Sequence, residues 1–220
     1  MSSKIYLVAA LALAAAPCFG STIAVTNFSF ETLPGAALAC AGAGCGYTSG
    51  AIPGWSVIGG VVSGQFQPGN PANTLYYTSV PASDGITEAY INSGVFSQTV
   101  GGTVVLGEVY TLLVDIGWRL DAGFTGSADL LINGHTYAAT GTTPAQGTWS
   151  TYTVTYTGLA ADVGRSITID LNSSGSQGNF DNVRLDGTLG ESGVPEPASF
   201  LLIGPALIAL GLRMKRIARP

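Results

Sequence analysis

Large and small polar side chains alternate along most of this chain. In "STYTVTYTG", Tyr152, Val154 and Tyr156 alternate with Thr151, Thr153, Thr155 and Thr157. In "VYTLLVDIGW", Tyr110, Leu112, Val114, Ile116 and Trp118 fall on one face, and "RSITIDLN" sets Ile167, Ile169 and Leu171 against Thr168 and Asp170. A period of two sends successive side chains to opposite faces of an extended backbone, so these segments read as half-buried strands. The segments "TIAVTNFSF", "GWSVIGG", "ITEAYIN", "VFSQTV", "SADLLIN" and "FDNVRL" extend the pattern. Asp84-Gly85, Asn133-Gly134 and Asp186-Gly187 give turn signals between them. No stretch before Pro197 carries a helical stripe, and no internal repeat is present. The expectation is an all-β domain built as a two-sheet antiparallel β-sandwich, or jelly roll.

The two ends break the pattern. "MSSKIYLVAALALAAAPCFG" has a positive start at Lys4, an apolar run from Ile5 to Ala16, and small residues at Cys18 and Gly20. It reads as a secretory signal helix over residues 1–20, cut ahead of Ser21. At the other end, Pro197 to Leu212 is apolar apart from Ser199 and is followed by Arg213, Lys215, Arg216 and Arg219. This reads as a short transmembrane helix with its basic tail on the cytoplasmic side, over residues 197–220. Pro195 and Pro197 keep that helix from running back into the domain. The β-sandwich is therefore expected at 21–190, with a linker at 191–196.

Composition narrows the partners. Only 10% of the 220 residues are charged, with 31 glycines, which suits a turn-rich β protein. Between the two terminal signals, twelve acids face three bases, Arg119, Arg165 and Arg184. Such a surface repels phosphate backbones, so nucleic acid is excluded and divalent cations are more natural company. Cys40 and Cys45 sit in one glycine-rich loop, "ACAGAGCGY", and in an exported chain the simplest state for them is a disulfide, with free thiols the alternative.

Val194-Pro195-Glu196-Pro197, the apolar helix and the arginine-rich end together resemble the PEP-CTERM sorting signal of exported bacterial proteins. That resemblance implies an exosortase as processing partner and transient anchoring in the inner membrane of a Gram-negative bacterium. It also implies a final place at the cell surface or outside the cell, often beside exopolysaccharide. Further in, the order "NFSFE", "IPGWSV", "SDGITEAYIN", "VFSQTV", "GEVYTLLVDI", "GTWSTYTVTYTG", "NFDNVRL" is similar to galactose-binding-like jelly rolls, a shape shared by many carbohydrate-binding modules. In such jelly rolls the first and last strands lie side by side. A glutamate and an aspartate from these motifs often share a structural calcium there, which implicates Glu31 and Asp181, two solvated strand-end acids being the alternative.

No catalytic constellation stands out. His135 directly follows the Asn133-Gly134 turn, where a side chain is usually solvated rather than held by an acid in a cleft. Acids are plentiful, but nothing selects a glycosidase pair. Trp55, Trp118 and Trp149 fall within strand patterns and read as core before they read as sugar platforms. Tyr76 and Tyr77, in the long segment "GQFQPGNPANTLYYTSVP", are expected to be exposed and to contact a ligand. The sequence thus points to a non-catalytic, exported binding module associated with extracellular polysaccharide. A secreted hydrolase of polysaccharides or esters, or a purely structural surface component, is the alternative.

Overall fold

The computed structural model describes residues 20–35, 46–68, 76–77 and 82–189. The expected signal, the Cys40–Cys45 pair, the sorting motif and the C-terminal helix lie outside the described residues. Among the described residues no helix is long and apolar enough to cross a membrane.

Among the described residues nine strands follow one another, with one 3₁₀ turn at Ala160–Asp162: β1 (Gly20–Ile23), β2 (Ser56–Phe66), β3 (Glu88–Thr103), β4 (Glu108–Trp118), β5 (Gly126–Ile132), β6 (His135–Ala138), β7 (Thr148–Thr157), β8 (Ser166–Ser173) and β9 (Gly178–Leu189). Every pairing is antiparallel, in the order β6-β5-β8-β3-β9-β4-β7, with β1 added to β9 and β2 to β3. The sheet folds over on itself because β3 is long enough to serve both layers. Its start pairs with β9 at Ala89–Ile91, and its later half pairs with β8 from Gly94 onward. The β5 strand then packs against β4, β9 and β7 across the interior, giving the expected all-β sandwich.

The alternation read from sequence defines what lies inside. Leu112, Val114 and Ile116 of β4 meet Leu130 and Ile132 of β5, Ile169 and Leu171 of β8, and Phe180 and Leu185 of β9 in one fully buried core. "ITEAYIN" and "VFSQTV" join into the single strand β3, which turns at Ser93 in the left-handed region (φ 48°).

Three local expectations change. Of "TIAVTNFSF" only the first part pairs as a strand; beyond it the backbone turns at Asn27 (φ 51°) and Phe30 (φ 55°) while staying beside β9, whose Val183 amide donates to the Phe28 carbonyl at 2.9 Å. Glu31 therefore sits in a loop rather than closing the first strand. Asp186-Gly187 is no turn, since both residues lie inside β9 opposite Thr111 and Tyr110. Only Asn133-Gly134 forms a two-residue hairpin, with both residues at positive φ, which leaves His135 exposed at the start of β6.

Candidate functional site

The sheet of β2, β3, β9, β4 and β7 has a second face, turned away from the core. Register places Phe66, Glu88, Asp181, Asp115 and Thr151 in one row across it. Gly64, Tyr90, Asn179, Gly117 and Trp149 form the next row. On an ordinary outward face such polar residues are wet, yet Glu88 and Asp181 are 0% exposed, Asn179 1% and Asp115 5%.

The cover is made by residues 76–77 and 82–87. Tyr77 stacks on Trp149 at 5.2 Å between ring centroids and donates its hydroxyl hydrogen to Glu88 Oε2 at 2.8 Å. A Cβ at Gly117 would sit 2.8 Å from the Tyr77 hydroxyl and 2.9 Å from the Trp149 ring, so the strand must be bare there. Ser83 donates to Asp115 Oδ2 at 2.6 Å, the Asp84 amide donates to Asp181 Oδ2 at 2.7 Å, and the Ile86 and Thr87 amides donate to Glu31 Oε1. A β-bulge at Asn182, left-handed at φ 49°, lets its side-chain amide also reach Asp115 Oδ2 at 3.0 Å.

This cover changes the acids. Desolvation holds the Glu88 carboxyl well above the usual carboxylate range, against the Tyr77 hydrogen bond and the Arg119 charge, which pull it down. Desolvation pushes Asp181 up to about 8, with the Asp84 and Asn182 amides opposing. Glu88 Oε1 and Asn179 Oδ1 are buried without a hydrogen-bond partner.

Over β2 and the start of β3 the same face opens into a pocket of about 300 Å³. Its walls include Tyr47, Phe66, Tyr76 and Tyr90, with Arg119 and Gln177 at one end. The Arg119 guanidinium lies 4.1 Å from the Tyr76 ring centroid, and Phe66 meets Tyr76 edge-on at 5.4 Å. Asp121 takes two hydrogen bonds from Arg119, Gln177 takes a third, and Gln177 passes one on to Asn92 at 3.2 Å. The far wall is positioned by Gly64, where an added Cβ would fall 2.1 Å from the Thr48 carbonyl oxygen. That close approach lets Tyr90 donate to the same oxygen at 2.7 Å.

The sequence-derived residues fall as follows. Tyr76 is half-buried and lines the pocket, whereas Tyr77 is buried rather than exposed, because Trp149 and Glu88 draw its ring onto the sheet. Trp55 is core, tilted against Phe30, and Trp118 packs on Phe124 at the end of β4. Glu31 and Asp181 do not face each other across paired strands. Asp181 lies opposite Asp115, and the two predicted ligands instead grip the same loop, residues 83–87. Glu31 Oε2 meets only the Thr87 hydroxyl, at 3.3 Å, so oxygen donors remain that suit calcium chemistry. Among the described residues no three acid, histidine or cysteine side chains come together as a metal group. Sequence reasoning missed Glu88, Tyr90, Arg119, Asn179 and Gln177. The alternation of Glu88, Tyr90 and Asn92 with Ala89 and Ile91 was the available signal for the first two.

The molecule is thus a β-sandwich with one sheet face covered and a lateral aromatic pocket beside the cover. Residues 21–186 match the HpiC1-like family, described as HpiC1 cyclase, and the chain belongs to that family. No curated protein matches it. Among solved structures it is similar to the xylan-binding CBM22-1 domain of Paenibacillus barcinonensis Xyn10C, at 14% identity and a TM-score of 0.44, over 79% of this chain and 98% of that one. It is also similar to TmCBM61, solved with β-1,4-galactotriose, at 19% identity and a TM-score of 0.45, over 75% of this chain and 98% of that one.

Proposed function

We propose that this chain is an exported saccharide-binding protein whose ligand occupies the pocket bounded by Tyr76, Phe66 and Arg119. One observation carries the reading: four aromatic residues, Tyr47, Phe66, Tyr76 and Tyr90, line one concavity outside the core together with the polar residues Ser49, Arg119 and Gln177. Apolar ring faces against pyranose C–H faces, with a few fixed polar groups for the hydroxyls, are the chemistry of sugar recognition. The export signal and the Val194-Pro195-Glu196-Pro197 motif support a path through the inner membrane to the cell surface. An exosortase would be the processing partner and extracellular polysaccharide the neighbour. In the same reading, Glu31 and Asp181 hold a structural calcium that ties loop 83–87 to the sheet, supplying positive charge and no chemistry.

A glycan array probed with the protein tests the binding, and Tyr76→Ala is expected to abolish the signal. No bound glycan on a broad array would overturn the reading. Intact mass of the protein secreted by its host is expected to lack everything after about Pro197; a retained "RMKRIARP" end would remove the sorting part.

A second reading is favoured by one observation. The family is described as a cyclase, and Glu88 is a buried carboxyl beside aromatic rings whose proton affinity desolvation raises, a change that suits a general acid. A ligand recovered from the protein with an unchanged proton NMR spectrum supports binding; a rearranged one supports the enzyme.

A further inference from the structure

The covered sheet face limits what shape of ligand can bind. A long polymer lying along a sheet needs an open cleft crossing several strands. Here the strands that would supply it, β9, β4 and β7, carry Asp181, Asn179, Asp115 and Trp149 on that face. The first three are nearly or fully buried, and Tyr77 stacks on the fourth. The cover is fastened at Ser83 to Asp115, at Asp84 to Asp181, at Tyr77 to Glu88, and by the Leu120 amide to the Tyr76 carbonyl at 2.9 Å. Beside this cover, over β2 and β3, the face opens into the pocket, where Arg119 is held to Asp121 and Gln177 to Asn92. Its volume of about 300 Å³ stands at the lower limit of small-molecule sites, which run from roughly 300 to 1,000 Å³.

Charge narrows the ligand further. Arg119 Nε, Nη1 and Nη2 each donate to Asp121 or Gln177, which engages three of the five guanidinium N–H groups and pairs the charge with Asp121, while the plane lies over the Tyr76 ring. With Arg119 already paired to Asp121 and no second base among these lining residues, a neutral ligand is favoured over an acidic one.

We infer that the pocket takes the terminal one or two residues of a neutral saccharide, end-on, and does not take the interior of a chain. This rests on the saccharide reading proposed above. The test is isothermal titration of the full-length protein with glucose, xylose and galactose, their β-1,4-linked di- and hexasaccharides, the maltose to maltohexaose series, and α-cyclodextrin, a six-glucose ring without ends. Affinity for any series that binds is expected to change less than about twofold from disaccharide to hexasaccharide, and α-cyclodextrin is expected not to bind. A tenfold or larger gain with chain length, or binding of α-cyclodextrin, overturns the end-on inference and leaves the saccharide reading standing. No binding to any probe overturns both.

The position is tested by Val62→Trp, since Val62 lines the pocket yet is 45% exposed, so the larger side chain adds bulk without entering the core. Loss of binding with an unchanged melting temperature is expected. Full affinity in Val62→Trp would place the saccharide elsewhere.

Discussion

Tyr77 gives its hydroxyl hydrogen to Glu88 Oε2 at 2.8 Å, beneath a stacked tryptophan and away from water, while Glu88 Oε1 has no partner. That pairing fixes a pH dependence. Burial raises the folded-state pKa of Glu88 well above its value in the unfolded chain, so the folded protein holds a proton that the unfolded chain releases. The stability associated with that proton is fully present below about pH 4, the unfolded carboxylate range, and is lost as pH rises toward the folded pKa. The slope is roughly 1.4 kcal/mol per pH unit while the proton difference lasts. Glu88→Gln keeps an acceptor for Tyr77 and removes the titration. Its melting temperature is expected to fall less between pH 5 and pH 8 than that of the wild type. Parallel curves for the two proteins would show that Glu88 ionises in the fold as it does outside it.

Gly64 supports the pocket by having no side chain. A methyl group at that position would collide with the Thr48 carbonyl, and that carbonyl belongs to the segment carrying Tyr47 and Ser49. Gly64→Ala must therefore push the segment outward or strain the strand, a cost of about 1–3 kcal/mol by comparison with overpacked cores. A lower melting temperature with saccharide affinity reduced at least tenfold is expected. Gly107→Ala is the contrast: it meets no atoms but sits at φ 74°, so it costs stability and leaves binding intact. Equal binding loss in both variants would deny Gly64 its role in shaping the pocket.

The cysteines yield a simpler expectation. If the chain is exported as proposed, Cys40 and Cys45, five positions apart, should close a short disulfide loop that contributes ~2 kcal/mol by the chain-entropy argument. Thiol titration of the denatured, unreduced ectodomain should find no free sulfhydryl. Two reactive thiols per chain would mean that Cys40 and Cys45 stay reduced.

The strands were readable because period-two alternation is a local property. Tyr152, Val154 and Tyr156 face inward for the same reason that Leu112 and Val114 do, and no distant residue had to be known. Applied to "ITEAYIN", the same rule puts Glu88, Tyr90 and Asn92 on one face, a signal that the sequence reading left unused. It could not say that the face would be covered, because the cover depends on Ser83 meeting Asp115 and on Tyr77 meeting Trp149, across sequence gaps that no pattern marks. Arg119 was visible only as one of three bases; its place over Tyr76 follows from the turn after β4. Glu31 was drawn into a strand by the alternation of Phe28 and Phe30. The ladder instead ends at Ile23, and the chain turns at left-handed Asn27 before it reaches Glu31, a conformation asparagine tolerates better than most residues.

Glu31 and Asp181 bear on the last prediction because both hold loop 83–87 and both are candidate calcium ligands. Their amide hydrogen bonds alone make a clasp, and a cation would add to it. Calcium takes about six to eight oxygen ligands, so backbone carbonyls would have to complete the set. A cation bound only by the folded state raises stability as RT ln(1 + [L]/Kd), about 2.7 kcal/mol at a hundredfold excess over Kd. For a domain of this size that is roughly 5–10 °C. Millimolar calcium is therefore expected to raise the melting temperature of chelator-treated protein by several degrees. The discriminating variant is Asp181→Asn, which keeps an oxygen for the Asp84 amide but loses the charge. Because Asp181 Oδ1 also accepts the Asn182 amide, the new side-chain NH2 costs stability in chelator, so the readout is the calcium shift itself, which is expected to be mostly lost. A wild-type curve that is identical with calcium and with chelator would leave Glu31 and Asp181 as an amide clasp and nothing more.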